Sequence, residues 1–153
     1  MTLLLVRHAD AGDRAAWTGD DRARPLSATG REQALAIAER FASSPLERIV
    51  SSPARRCVDT VEPLATARDL PVETDEALAE GAPFDVVDRL LRRLAAADVL
   101  VCSHGDIVQA TITELRRGGI ITGRPEWPKA STWILDGWPT PARTDYLPPP
   151  ALR

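Results

Sequence analysis

Apolar residues follow two alternating rhythms along this chain. Short unbroken runs, Leu3 to Val6, Arg48-Ile49-Val50-Ser51, Val99 to Cys102 and Ser131 to Leu135, have the length and branching of strands covered on both faces. Pro71-Val72-Glu73 is a shorter candidate strand. Between them lie stripes at helical spacing: Ala34, Ile37, Ala38 and Phe41, then Phe84, Val87, Leu90, Leu91 and Leu94, then Ile107, Ala110, Thr111 and Leu115. Local signals mark where helices start. Ser27 or Thr29 caps the first, with Thr29 and Glu32 spaced as a capping box. Ser52 caps a second, with Pro53 in its first position, and Pro63 kinks that helix or opens a new one through Leu64 to Ala67. Ala11 to Pro25, Leu78 to Pro83 and Gly118 to Ala130 read as loops, and the proline-rich tail from Asp136 reads as extended chain. Alternating strands and helices predict an α/β domain of three layers, α/β/α, with a mainly parallel central sheet.

Composition narrows this only a little. A chain of 153 residues holds one real core, so a single domain over 1–153 is expected. The longest apolar runs fall far short of the roughly 20 residues of a bilayer span, and no basic segment precedes a cleavable apolar one, so the cytoplasm is the expected location. A net charge of −3 argues against nonspecific nucleic-acid binding. Cys57 and Cys102 lack metal-ligand spacing and read as buried, inert thiols. No acidic ligand cluster accompanies the histidines, and neither metal nor cofactor is expected.

The chemistry sits at strand ends. The first strand runs into Arg7-His8, and the strand from Val99 runs into Ser103-His104-Gly105. These are the only two histidines, and both fall where an open α/β sheet collects ligands. Between them, Ser51-Ser52-Pro53 opens a helix that presents Arg55 and Arg56 at its N-terminus, where unpaired N–H groups favour an anion. If the sheet order brings these ends together, Arg7, His8, one of Arg55 or Arg56, and His104 form a phosphate cradle. Guanidinium forks match phosphoryl oxygens, and an unprotonated histidine nitrogen is a competent nucleophile. A leaving alcohol needs a proton from a carboxylic acid whose pKa has been raised, and Glu80 is the candidate, with Asp10 the lesser one. Arg22, Arg24, Arg55 and Lys129 read individually as solvated surface, and the four tryptophans as packing, with Trp17 and Trp127 in loops that could rim the pocket.

Leu-Val-Arg-His, Ser-Ser-Pro-Ala-Arg-Arg-Cys-Val-Asp-Thr and Val-Cys-Ser-His-Gly, in that order, resemble the motifs of the histidine phosphatase superfamily, also called phosphoglycerate mutase-like. The resemblance runs from Leu3 to Leu135. It implies a phosphoglycerate mutase-like fold, His8 as the phosphorylated nucleophile, Arg7 and Arg56 on the phosphoryl oxygens, and His104 hydrogen-bonding them. Arg56 rather than Arg55 matches the family's spacing after the proline. Arg-His-Ala-Asp-Ala is similar to the small SixA-type phosphohistidine phosphatases and to the histidine phosphatase domain of two-domain MutT-type hydrolases. The Leu-Ala-Glu-Gly loop, Lys129-Ala130-Ser131 and the Tyr146-Leu147-Pro148-Pro149-Pro150 tail resemble the second. The expected activity is a metal-independent phosphatase acting on a phosphorylated small molecule or a phosphohistidine protein. A phosphoglycerate mutase-type phosphotransferase and a non-catalytic phospho-ligand module are the alternatives.

Overall fold

The computed structural model describes all 153 residues. Its centre is a six-stranded sheet built from β1 (Thr2–Arg7), β2 (Arg48–Ser51), β3 (Val72–Thr74), β4 (Val99–Ser103), β5 (Thr132–Asp136) and β6 (Thr144–Leu147). The order across the sheet is β3-β2-β4-β1-β5-β6. The first four run parallel, whereas β5 pairs antiparallel with β1 and β6 antiparallel with β5. Four helices cover the faces: α1 (Ala28–Arg40), α2 (Arg55–Arg68), α3 (Phe84–Leu94) and α4 (Gly105–Arg117). No helix is long and apolar enough to cross a membrane.

Strand alternation assigns each face its helices. Leu4 and Val6 of β1 pack with Ile37 of α1 and Val61 and Leu64 of α2. Leu3 and Leu5 point the other way, onto Leu90 and Leu91 of α3 and Ile112 and Leu115 of α4. β4 is buried at all five positions because helices lie on both its faces, which is why its sequence is an apolar run rather than an alternation.

Three local expectations are corrected. Ser27, not a Thr29–Glu32 box, caps α1: its hydroxyl accepts the Gly30 N–H at 3.0 Å, and Thr29 already lies inside the helix. Helix α2 starts at Arg55 with Ala54 as its cap and Pro53 outside it, and it continues unbroken through Pro63. Proline there removes one intrahelical bond, and burial of Val61, Leu64 and Ala65 on either side holds the helix together. The proline-rich tail is not extended chain alone. Thr144-Asp145-Tyr146-Leu147 adds an edge strand, with Tyr146 packed on Trp133 at a ring separation of 5.2 Å and with prolines outside the strand rather than in it.

Candidate active site

Register brings the strand ends together. Arg7 of β1 lies opposite Ser103 of β4, and the His8 N–H donates to the Ser103 carbonyl at 3.0 Å. Ser51 of β2 lies opposite Cys102, and the Ser52 N–H donates to the Cys102 carbonyl at 2.9 Å. Three consecutive strands therefore end side by side. His8 and His104 stand edge to face, with ring centroids 5.5 Å apart, and no carboxylate separates them.

Each group is held in a defined state. His8 Nδ1 lies 2.8 Å from the Ala9 carbonyl, which can only accept, so the ring proton sits on Nδ1 and Nε2 keeps its lone pair. Burial lowers the His8 pKa to about 3, helped by neighbouring His104, Arg56 and Arg7 and opposed by the Ala9 bond, so the imidazole is neutral at physiological pH. Arg7 donates through NH1 to the Trp127 carbonyl at 3.0 Å. Its guanidinium crosses the first residue of α4, and only glycine leaves room there: a Cβ on Gly105 would lie 2.8 Å from Arg7 Cζ. Arg56 is 1% exposed and donates to the Asp21 carbonyl at 2.8 Å and to Asp21 Oδ2 at 3.0 Å. The Nε atoms of Arg7 and Arg56 are buried without a partner. Two cationic donors left open beside two imidazoles are suited to an anion's oxygens.

Sequence reasoning missed several of these neighbours. Ser52, read as a helix cap, places its hydroxyl 2.8 Å from His104 Nε2. Thr60 ties the nucleophile's loop to α2, accepting the Ala9 N–H at 2.9 Å and donating to the Arg56 carbonyl at 2.6 Å. Arg24, read as solvated, is buried and donates to the Ala11 carbonyl at 2.6 Å and to Asp21 at 3.2 Å, which fixes the loop that carries Asp21. An acidic residue within reach of two arginines in the 11–25 loop was the available signal. Cys57, read as inert, lies with Sγ 3.6 Å from His104 Nε2. Burial favours its thiol form, but hydrogen bonds with Cys102 and His104 and the nearby Arg56 guanidinium prevail and lower its pKa from the ordinary thiol value. Arg55 pairs with Asp59 at 3.3 Å on the surface, as read.

Glu80 lies at the site but not in the expected state. Its carboxylate pairs with Arg14 at 2.8 Å and stands 3.5 Å from Arg56 NH2. Burial pushes its pKa up, yet the Arg14 bond and the nearby charges outweigh this and hold it below the ordinary value. The raised pKa expected for a proton donor is therefore absent from the free site. Asp10 turns away, bonded to the Ser27 hydroxyl at 2.5 Å and facing Lys129 at 3.6 Å. The mouth is a cavity of about 380 Å³ with no apolar residue in its lining, which includes Arg7, His8, Arg14, Glu80, Asp106 and Lys129. Neither Trp17 nor Trp127 lines it, although the Trp127 backbone holds Arg7.

Residues 3–82 match the model of the histidine phosphatase superfamily, branch 1. The 8-oxo-(d)GTP phosphatase of Mycolicibacterium smegmatis is 34% identical over 97% of this chain, and the chain spans 48% of that relative's length. The structure of the protein histidine phosphatase SixA complexed with tungstate superposes with a TM-score of 0.70 at 25% identity, covering 88% of this chain and 87% of that one. A mycobacterial glucosyl-3-phosphoglycerate phosphatase shares the fold with a TM-score of 0.68 at 22% identity, covering 88% and 90%. With three motifs in order, their strand ends adjacent and half of the chain matched by the family model, the chain belongs to the histidine phosphatase superfamily, SixA type.

Proposed function

We propose that this chain hydrolyses phosphomonoesters or phosphohistidine through a covalent phosphohistidine on His8. The observation that carries the reading is a neutral imidazole with its Nε2 lone pair free, set 5.5 Å from a second imidazole, beside two guanidinium groups whose buried Nε atoms lack partners.

The chemistry follows from those groups. Arg7 and Arg56 take the phosphoryl oxygens and neutralise their charge, work that a divalent cation does in other phosphatases. His8 Nε2 attacks phosphorus as the bond to the leaving oxygen breaks, and the Nδ1–H bond to Ala9 steadies the charge that develops on the ring. Water then attacks the phosphohistidine, releasing phosphate and restoring the neutral ring. An alcohol leaving in the first step needs a proton, whereas an imidazole leaves more readily. Glu80 is the donor in this reading. A phosphate dianion entering beside Glu80 competes for Arg56 and raises the carboxyl's pKa, because like charges disfavour ionisation.

The substrate is a phosphorylated small molecule or a phosphohistidine protein. The nucleotide activity in the name of the M. smegmatis relative belongs to a protein about twice as long, and the cavity here has no hydrophobic residue in its lining. Turnover of p-nitrophenyl phosphate with and without chelator tests the reaction, together with trapping of acid-labile, base-stable phosphoprotein. The expected result is chelator-insensitive turnover and a trapped intermediate, both lost in His8→Ala with the fold retained. No turnover would make the protein a phospho-ligand binder, and turnover that requires an acceptor would make it a phosphotransferase.

A further inference from the structure

His104 turns its two ring nitrogens to opposite sides. Nδ1 faces the cradle, 3.3 Å from Arg56 NH2. A guanidinium has only donors, so Nδ1 accepts in the free protein and the ring proton sits on Nε2. There it meets Ser52 Oγ at 2.8 Å, which also accepts the Ala54 N–H at 3.3 Å. Ser52 and His104 are both buried, and the other polar atom recorded at Nε2 is Cys57 Sγ, at the longer distance of 3.6 Å. This arrangement suits an empty site and conflicts with a loaded one. Phosphoryl oxygens are acceptors, and a bare Nδ1 lone pair facing them repels.

We propose that Ser52 is a positioning residue that retains the Nε2 proton, so that His104 binds the phosphoryl dianion as an imidazolium. On loading, Arg56 NH2 turns from Nδ1 to a phosphoryl oxygen. Nδ1 takes a proton, from the substrate monoanion by breaking the O–H bond of its P–O–H group or from solvent when the anion carries none. Nε2 keeps its own proton on Ser52, so none has to leave through the core. The charged and titratable groups around the ring bear on the same balance. Arg56 and Arg7 oppose a cation there, His8 is neutral, and Glu80, the Cys57 sulfur beside Nε2 and the entering dianion favour the cation. The dianion tips it. The inference rests on the phosphate-site reading above and deepens it.

Tungstate, a dianion at neutral pH, is the probe. Calorimetric titration in buffers of different ionisation enthalpy counts the protons taken up, and ¹⁵N shifts of the ring nitrogens locate them. With two histidines in the chain, His8→Gln suffices for assignment. The wild type is expected to take up a proton per tungstate bound, at His104 Nδ1. Ser52→Ala should bind roughly 10- to 100-fold more weakly, the loss of a charge-assisted hydrogen bond, and take up none, while Ser52→Thr restores both. Binding without proton uptake in the wild type overturns the inference, and that measurement does not depend on the variant folding. So does a Ser52→Ala protein with unchanged affinity and uptake. Failure of the wild type to bind tungstate at all would instead remove the phosphate site itself.

Discussion

Lowering the pH tests the state in which the fold holds His8. Its pKa is about 3 in the folded protein, against about 6.5 for an unperturbed histidine. Between these values the unfolded chain binds a proton that the native state refuses, so stability is full above pH 6.5 and is lost as pH falls toward 3. The whole interval of about 3.5 pH units corresponds to about 5 kcal/mol, of which about 2 kcal/mol is gone by roughly pH 5. Set against a total of about 5–15 kcal/mol for a domain, that loss is large. Urea denaturation from neutral to mildly acid pH, on the wild type and on His8→Asn, isolates the contribution. Asparagine stays neutral and can still donate to the Ala9 carbonyl. The wild type should lose about 2 kcal/mol more than the variant over this range. Parallel curves, or a wild type that gains relative to the variant on acidification, would show that the ring is not held neutral as described.

Glu80→Gln should slow hydrolysis of alkyl phosphates by roughly 100-fold and of phosphoramidates far less, because only the alcohol needs the proton. Equal losses on both substrate types would contradict the donor role. Gly105→Ala places a methyl 2.8 Å from Arg7 Cζ, at the far end of a flexible side chain, so kcat/KM should fall roughly tenfold while the melting temperature barely moves. A purely thermal effect with intact kcat/KM would refute it. Gly30→Ala is different: its Cβ would meet the Asp10 carbonyl oxygen, a backbone atom that cannot swing aside, and the protein should lose about 3 kcal/mol by chemical denaturation. An unchanged midpoint would mean that α1 and the loop after His8 do not pack as seen.

Much of the architecture was legible in the residues. The runs at Leu3 and Val99 had to be central strands because no alternation left a face for water, and both proved to be flanked on either side. The stripe from Phe84 to Leu94 had to be a helix with one buried face, and it is. Arg7, His8, Arg56, His104 and Glu80 lie close together at one edge of the sheet, because each was read from a strand or helix terminus or from a loop beside one, and parallel strands put their carboxyl ends on one edge. The misreadings were of another kind. Ser52 was assigned to the nearest helix because its own neighbours in sequence suggest a cap, whereas its partner is 52 residues away. Arg24 looks solvated among charged neighbours, and only the folding of the 11–25 loop back onto Ala11 and Asp21 buries it.

The sequence alone determined periodicity, and with it the elements, their order and the residues delivered to their ends, because backbone geometry and apolar burial act over a few residues at a time. Tertiary structure decided the states of those residues. Glu80 is an ion-paired carboxylate rather than a ready acid because Arg14, 66 positions earlier, lies 2.8 Å from it. His8 is neutral because helices and strands from across the chain remove water from around it. Protonation depends on solvent exclusion and on charges within a few ångströms, and neither is a local property of the chain.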